Sequence, residues 1–256
     1  MIVQITLTRD ELFLIKEMMP QWQRYADAFV FMDDCSTDGT YEFLMENKDK
    51  FNILNVLRTD YPGQPTNMES VVRQKLFDEA FKHSGNIVCL DTDEYLDGHA
   101  TKEMLEGGLE ASKNTLLHAP CIQYTDTTQI RVDGPWANNF KDRIGSYGER
   151  GIFNTASMHS EHLPVSSNQG MVHLPSLFIA HLQWLDKKAV AVKQYYWKIV
   201  DYVNKIEHGV DIIPASAYDA SVNNFDWEYG SFDFPLKVRA DVYDLHDIED
   251  SFKYKF

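Results

Sequence analysis

A chain of 256 residues with 39 acidic against 24 basic side chains carries a formal charge of −15, which excludes general affinity for nucleic-acid phosphates. The same charge repels a bare nucleotide, so a phosphate ligand requires a divalent cation as intermediary, although most of the carboxylates simply keep a surface solvated. Hydrophobic content of 44% can fill a sizeable core, no apolar run approaches the ~20 residues of a membrane span, and the first residues lack a leader's charged-then-apolar pattern.

In chain order, residues 2–7 (IVQITL) read as a short strand. From Glu11 to Gln23, Leu12, Ile15, Met19 and Trp22 recur at helical spacing. "AFVFM" (28–32) is a second strand, ending at the adjacent carboxylates Asp33 and Asp34. Ser36, Thr37 and Asp38 then offer capping oxygens for a helix running toward Asn47. "FNILNVL" (51–57) is a third strand. After the loop "YPGQPTN", a helix places Met68, Val72, Leu76 and Ala80 on one face, with Gly85 as its stop. "NIVCL" (86–90) is the fourth strand. This alternation predicts an α/β fold with a mainly parallel central sheet flanked by helices, and a ligand site at the carboxyl ends of the strands. No strand is followed by G-x-G-x-x-G or a P-loop, so dinucleotide and Walker-type sites lack their main evidence. Cys35, Cys89 and Cys121 are odd in number and form no C-x-x-C pair. Neither a disulfide framework nor structural zinc is expected, and a cytoplasmic location is.

Two acidic clusters stand on the expected ligand edge. Asp33 and Asp34 end the second strand, and "LDTDEYL" (90–96) follows the fourth, where a bend can aim Asp91 and Asp93 at one ion. Hard oxygen ligands of this kind suit Mg²⁺ or Mn²⁺. One such cluster alone reads as a capped, solvated turn. Two on the same edge suggest a metal-assisted phosphate site.

Taken together, these residues resemble the GT-A-fold glycosyltransferases, especially the large family 2 group. "TLTRDE" (6–11) is similar to the opening strand and its R-N-E-type turn, with Asp10 replacing the commoner Asn. "MDDCSTDGT" (32–40) is close to D-D-x-S-x-D-G-T, Arg73 stands where a basic residue often lies near the donor, and "LDTDE" matches D-x-D with its following acid. The resemblance covers residues 1–97. It implies a nucleotide-diphosphate sugar donor, with Thr8 and Arg9 at its base and ribose end, Asp33 on the nucleoside, and Asp34 supporting the turn. Arg73 and Thr92 would also lie along the donor. Asp91 would meet the ribose or the metal, and Asp93 would ligate a Mn²⁺ or Mg²⁺ ion that neutralises the departing diphosphate. The implied reaction is sugar transfer, with inversion, to a hydroxyl of a glycan or other acceptor. A single domain is expected, with a nucleotide-sugar half in residues 1–120 and an acceptor half in 121–256.

The second half matches the family only loosely. "HAPCIQYTD" (118–126) and "SLFIAHLQW" (176–184) read as strands, and Trp136, Phe140, Tyr147 and Phe153 are either sugar-stacking aromatics or ordinary core. Asp186 then caps a helix with an apolar stripe of Val192, Tyr196, Ile199, Val203 and Ile206, closed by Gly209. His181 resembles the histidine that gives several GT-A enzymes a third metal ligand; the competing reading is a buried, hydrogen-bonded histidine. "SMHSEHLPV" (157–165) resembles an H-E-x-L piece, though Ser160 separates His159 from Glu161. An inverting transfer needs a base. Among Asp126, Asp133, Asp142, Glu149 and Glu161, local salt bridges are expected for Asp142 and Glu149, which lie among Lys141, Arg143 and Arg150. The choice falls on Glu161, flanked by His159 and His162 and followed by Leu163-Pro164, which can fix it in a turn at the cleft. Two other functions compete with this reading. A haloacid-dehalogenase-type phosphatase carries its D-x-D after the first strand, not the fourth. A non-catalytic carbohydrate- or nucleotide-binding module on the same fold would bind a donor without hydrolysing it.

Overall fold

The structure is a computed structural model, and it describes residues 1–98, 101–111, 114–125, 129–132, 139–154, 161–165, 170–173, 177–183, 187–208 and 229–231. Asp126, Asp133, Trp136, His159, Asp186 and Gly209 lie outside the described residues. The chain divides into two compact units. The first comprises Met1–Cys121 with Phe140–Ile179, and the second Ile122–Asn139 with Ala180–Phe256.

The first unit opens with β1 (Val3–Thr8), α1 (Leu12–Trp22), β2 (Ala28–Asp33), α2 (Thr40–Glu46), α3 (Lys48–Phe51), β3 (Ile53–Arg58), α4 (Gln64–Phe81) and β4 (Asn86–Cys89). The chain continues through β5 (Glu94–Gly98), α5 (Lys102–Ala111), β6 (Thr115–Gln123), β7 (Gln129–Arg131), β8 (Phe140–Ser146), β9 (Gly170–His173) and β10 (Leu177–His181), with β7 and the last residues of β6 and β10 belonging to the second unit. The strand order is β3-β2-β1-β4-β8-β6-β10-β5, with β9 beside β6. β3, β2, β1 and β4 are parallel, whereas β8 runs antiparallel to both its neighbours. The expected α/β fold is therefore present, and its sheet is parallel over the first four strands and mixed beyond them.

Period-two alternation sorts β2 between two layers. Ala28, Val30 and Met32 join Val3, Ile5, Ile87 and Cys89 on one face, where α4 contributes Val72, Leu76, Phe77 and Ala80 and later segments add Tyr147, Phe153 and Leu163. Phe29 and Phe31 stack on each other and pack tilted against Trp22 of α1. Each of these large side chains contributes roughly 1.5–3 kcal/mol by leaving water. Tyr147 and Phe153 thus resolve as core, in edge contact with Phe77, whereas Phe140 is exposed and stacks on His118.

Several local expectations are corrected. Met68 does not share the face of Val72, Leu76 and Ala80, because α4 is kinked there (φ −142°, ψ 40°) and Met68 is exposed. The helix ends at Phe81, not at Gly85. That glycine is required by packing, since a Cβ at Gly85 would lie 2.1 Å from the Tyr147 carbonyl oxygen. The third strand begins at Ile53, after Asn52 has turned the chain at φ 53°. Arg143 and Arg150 do not pair locally either: they reach Glu94 and Asp78, and Asp142 bonds His118.

In the second unit, β7 pairs antiparallel with β11 (Tyr229–Ser231), and Tyr124 bridges to Ile130. Its long helix is α6 (Lys187–His208). The apolar stripe read from the sequence is present, but it faces solvent: Ile199 is 63% and Ile206 68% exposed, while Val190 on another face is 2% exposed.

Candidate active site

The site grows from the carboxyl ends of β1, β2 and β4. Thr8 pairs in register with Asp33, and Asp33 with Arg58, while Ile5 pairs with Cys89 and Leu90 N donates to Ile5 O at 3.2 Å. The two acidic clusters therefore flank the end of β1, about 10 Å apart at ordinary strand spacing.

The adjacent aspartates avoid repulsion by pointing into different networks. Asp33 is fully buried, its carboxylate accepting from Ser36 N at 3.2 Å and meeting Arg58 Nε at 3.2 Å. Asp34 accepts from Gly63 N at 2.8 Å and Thr59 Oγ1 at 2.7 Å, and pairs with Arg9 at 3.4 Å. Arg58, stacked 4.6 Å over the Tyr41 ring, thus covers Asp33.

The S-T-D-G-T loop braces two helices. Asp38 Oδ2 accepts from Leu12 N at 3.0 Å, at the start of α1, and Asp38 Oδ1 accepts from Thr40 N at 3.0 Å, at the start of α2. The N-cap position of α2 is held by Gly39 and not by any of the three expected residues, although Asp38, one residue before it, accepts from the first N–H of the helix. Ser36 Oγ accepts from Asp10 N at 2.9 Å, and Thr37 N donates to Asp10 Oδ1 at 2.6 Å. Asp10 itself adopts φ 51°, a conformation that Asn and Asp tolerate better than most residues.

The D-x-D turn is fixed from three sides. Glu94 N donates to Asp91 O at 3.0 Å, and Glu94 Oε2 accepts from Asp91 N at 3.1 Å. Thr92 donates to Glu11, which also accepts from Thr8 Oγ1 at 3.2 Å, so one carboxylate ties the end of β1 to the turn. Trp22 Nε1 donates to Glu94 O at 3.0 Å. Thr92, Asp93 and Glu94 are all buried.

Around Asp91 the charges are graded. His162 Nε2 lies 3.1 Å from its carboxylate and 3.1 Å from Arg73 Nη2, while Arg143 stands 3.6 Å and Arg73 3.8 Å from that carboxylate. Burial works against the charge on Arg73, but Glu69 and Asp91 carry its pKa above the ordinary value; Arg143 is raised by Glu94 and Asp91 in the same way. Beneath them, burial pushes the Cys89 thiol up to about 12. Glu69 meets Arg73 at 2.8 Å and Glu94 meets Arg143 at 2.7 Å, so each guanidinium has its own glutamate. Asp91 and Asp93 add two carboxylates to this turn, hard oxygen donors of the kind that fit Mg²⁺ or Mn²⁺.

The first unit therefore gathers Thr8, Arg9, Asp33, Arg73, Asp91, Thr92 and Asp93 along one sheet edge. Glu161 is exposed and adjoins His162, whose ring touches Asp91. His181 belongs to the second unit, where Nδ1 lies 2.8 Å from Gln123 Oε1. Sequence reasoning assigned no site role to Glu11, Arg58 or Glu94, and expected Arg143 only in a local salt bridge. The signals for Glu11 and Glu94 were their places beside the two motifs, and for Arg58 its place at the end of β3. Arg143 had no such signal.

No family model matches the chain, and neither does any curated protein. Among solved structures, S. aureus TarS shares 13% identity over 87% of this chain, with a TM-score of 0.48. The chain spans 43% of that structure's length. TarS 1–349 in complex with UDP shares 12% identity, with all of this chain and 75% of that one covered and a TM-score of 0.41. The mannosyltransferase PcManGT from Pyrobaculum calidifontis, in complex with GDP-Man and Mn²⁺, shares 12% identity over 98% of this chain and 81% of its own, with a TM-score of 0.46. At this distance these likenesses speak to neither substrate nor mechanism.

Proposed function

We propose that the chain transfers a sugar from a nucleoside-diphosphate sugar to an acceptor hydroxyl, with inversion, aided by Mn²⁺ or Mg²⁺ at Asp91 and Asp93. The observation that carries this reading is the D-x-D turn, fixed by Glu94 and Glu11 beside β1, opposite the Asp33–Asp34 turn on the same sheet edge.

The chain's own residues have distinct tasks. Thr8, Arg9 and the Asp33–Asp34 turn hold the nucleoside end of the donor, with Arg58 covering Asp33. Asp91 and Asp93 hold the cation, which when bound neutralises charge on the leaving diphosphate. Arg73, close to Asp91, adds a fixed positive charge on the same side. Glu161 takes the proton of the acceptor hydroxyl as the anomeric carbon is attacked from the face opposite the diphosphate.

The test is release of nucleoside diphosphate from a panel of nucleotide sugars, with and without acceptor alcohols. Mn²⁺ should support turnover, EDTA should stop it, and Asp93→Asn should lower it by about 100-fold or more, since a neutral amide is a poor ligand for a hard cation. Turnover that survives both EDTA and Asp93→Asn would sink the reading. Tight donor binding with no release in any combination would mark a binding module instead.

A further inference from the structure

The exposed stripe of α6 takes no part in the site described above. Val192, Tyr195, Ile199, Tyr202 and Ile206 recur at alternating steps of three and four, with Tyr196 and Val203 beside them. All seven are at least 43% exposed, and Ile199, Tyr202 and Ile206 exceed 60%. The helix is about 33 Å long, and its stripe offers on the order of 700 Å² of uncovered side chain, beyond the few hundred that a soluble surface ordinarily exposes in one patch. The residues that turn away from solvent, Val190 at 2% exposed and the half-buried Trp197, occupy another face.

Charge decides what this stripe meets. The sequence of α6 carries five lysines against Asp201 and Glu207, a local charge of +3 in a chain of −15. At 100° per residue, Lys193 and Lys198 fall on opposite flanks of the stripe, roughly 100–120° from its centre, and Lys193 is exposed. Lys205 repeats the Lys198 position seven residues on. A second copy of the helix is the poorer partner. In heptad register, the positions flanking the Val192–Ile199–Ile206 seam hold Tyr196, Val203, Lys198 and Lys205, so no carboxylate stands there to meet a lysine of the other helix. Tyrosines and β-branched aliphatics between flanking lysines instead match an interface with apolar depth and anionic headgroups.

We propose that α6 docks the protein on an anionic lipid surface, its stripe lying at the headgroup–acyl boundary and its flanking lysines meeting the headgroups. The full chain should co-sediment with vesicles holding about 30% phosphatidylglycerol in phosphatidylcholine, and at least about fivefold less with phosphatidylcholine alone. Binding should weaken as salt rises from about 50 to about 300 mM. Ile199→Asn with Tyr202→Asn should abolish it, and Lys193→Gln with Lys198→Gln should reduce it severalfold. The melting temperature of each variant should stay close to the parent's, since surface substitutions stay within about 0.5 kcal/mol. Three results would overturn the proposal. One is equal binding to both vesicle types. Another is a dimer by native mass that Ile199→Asn dissociates without any vesicle binding, which would assign the stripe to a second copy. The third is a monomer that binds neither vesicle.

Discussion

Asp33 and Asp34 show how two neighbouring carboxylates are tolerated: each is answered by its own donors, Ser36 and Arg58 for one, Gly63 and Thr59 for the other. The division of labour expected from the sequence, with Asp34 supporting the turn, is consistent with its contact to Gly63. The cover that Arg58 gives Asp33 was not legible, because it depends on the register of β2 with β3. Glu161→Gln tests the proposed base while keeping its shape. Turnover should fall by about 100-fold or more with donor affinity nearly intact, whereas a loss of only a few-fold would exclude Glu161. Cys89 gives a prediction that does not depend on activity. Its raised pKa keeps the buried thiol protonated, so an alkylating reagent at pH 8 should modify the half-exposed Cys35 in the native protein and spare Cys89. The sign for stability follows: the unfolded thiol ionises near its ordinary value, the folded one near 12, so the contribution of Cys89 is intact below about pH 9 and is lost as pH rises from there. Native-state labelling of Cys89 at a rate equal to Cys35 would contradict this.

Elements were most legible where a strand buries both faces and ends in polar punctuation. β1, β2 and β4 are such runs, and each was placed to within about a residue or two. The long-range partners were not legible. Nothing near Arg143 announces that it reaches Glu94, 49 residues away, to secure the turn that carries Asp91. Periodicity likewise located the stripe of α6 but is silent on which side solvent lies. Arg143→Met leaves Glu94 as a buried, uncompensated charge and should cost about 3–5 kcal/mol in chemical denaturation. Adding Glu94→Gln should recover more than half of that loss. A single-variant cost below about 1 kcal/mol would show that the pair does not hold the turn. Gly85→Ala should destabilise by about 1–3 kcal/mol or more, because the colliding atom is the Tyr147 backbone oxygen and cannot rotate away.

Across the molecule, a charge of −15 and an anionic donor are compatible only if positive charge is concentrated where the phosphates lie. The site supplies some of it in Arg9, Arg58, Arg73 and Arg143, but each of these already pairs with a carboxylate. On the proposed reading, the remaining positive charge is the cation's to supply, at Asp91 and Asp93. The most direct test is calorimetric titration with nucleoside diphosphates of each base, in Mn²⁺ and in EDTA, on the parent and on Asp93→Asn. The account predicts that at least one binds in Mn²⁺, about tenfold or more weaker in EDTA, and equally weakly to Asp93→Asn in either buffer. Binding that is the same in EDTA and unchanged by Asp93→Asn, or the absence of binding by any of them, would contradict it.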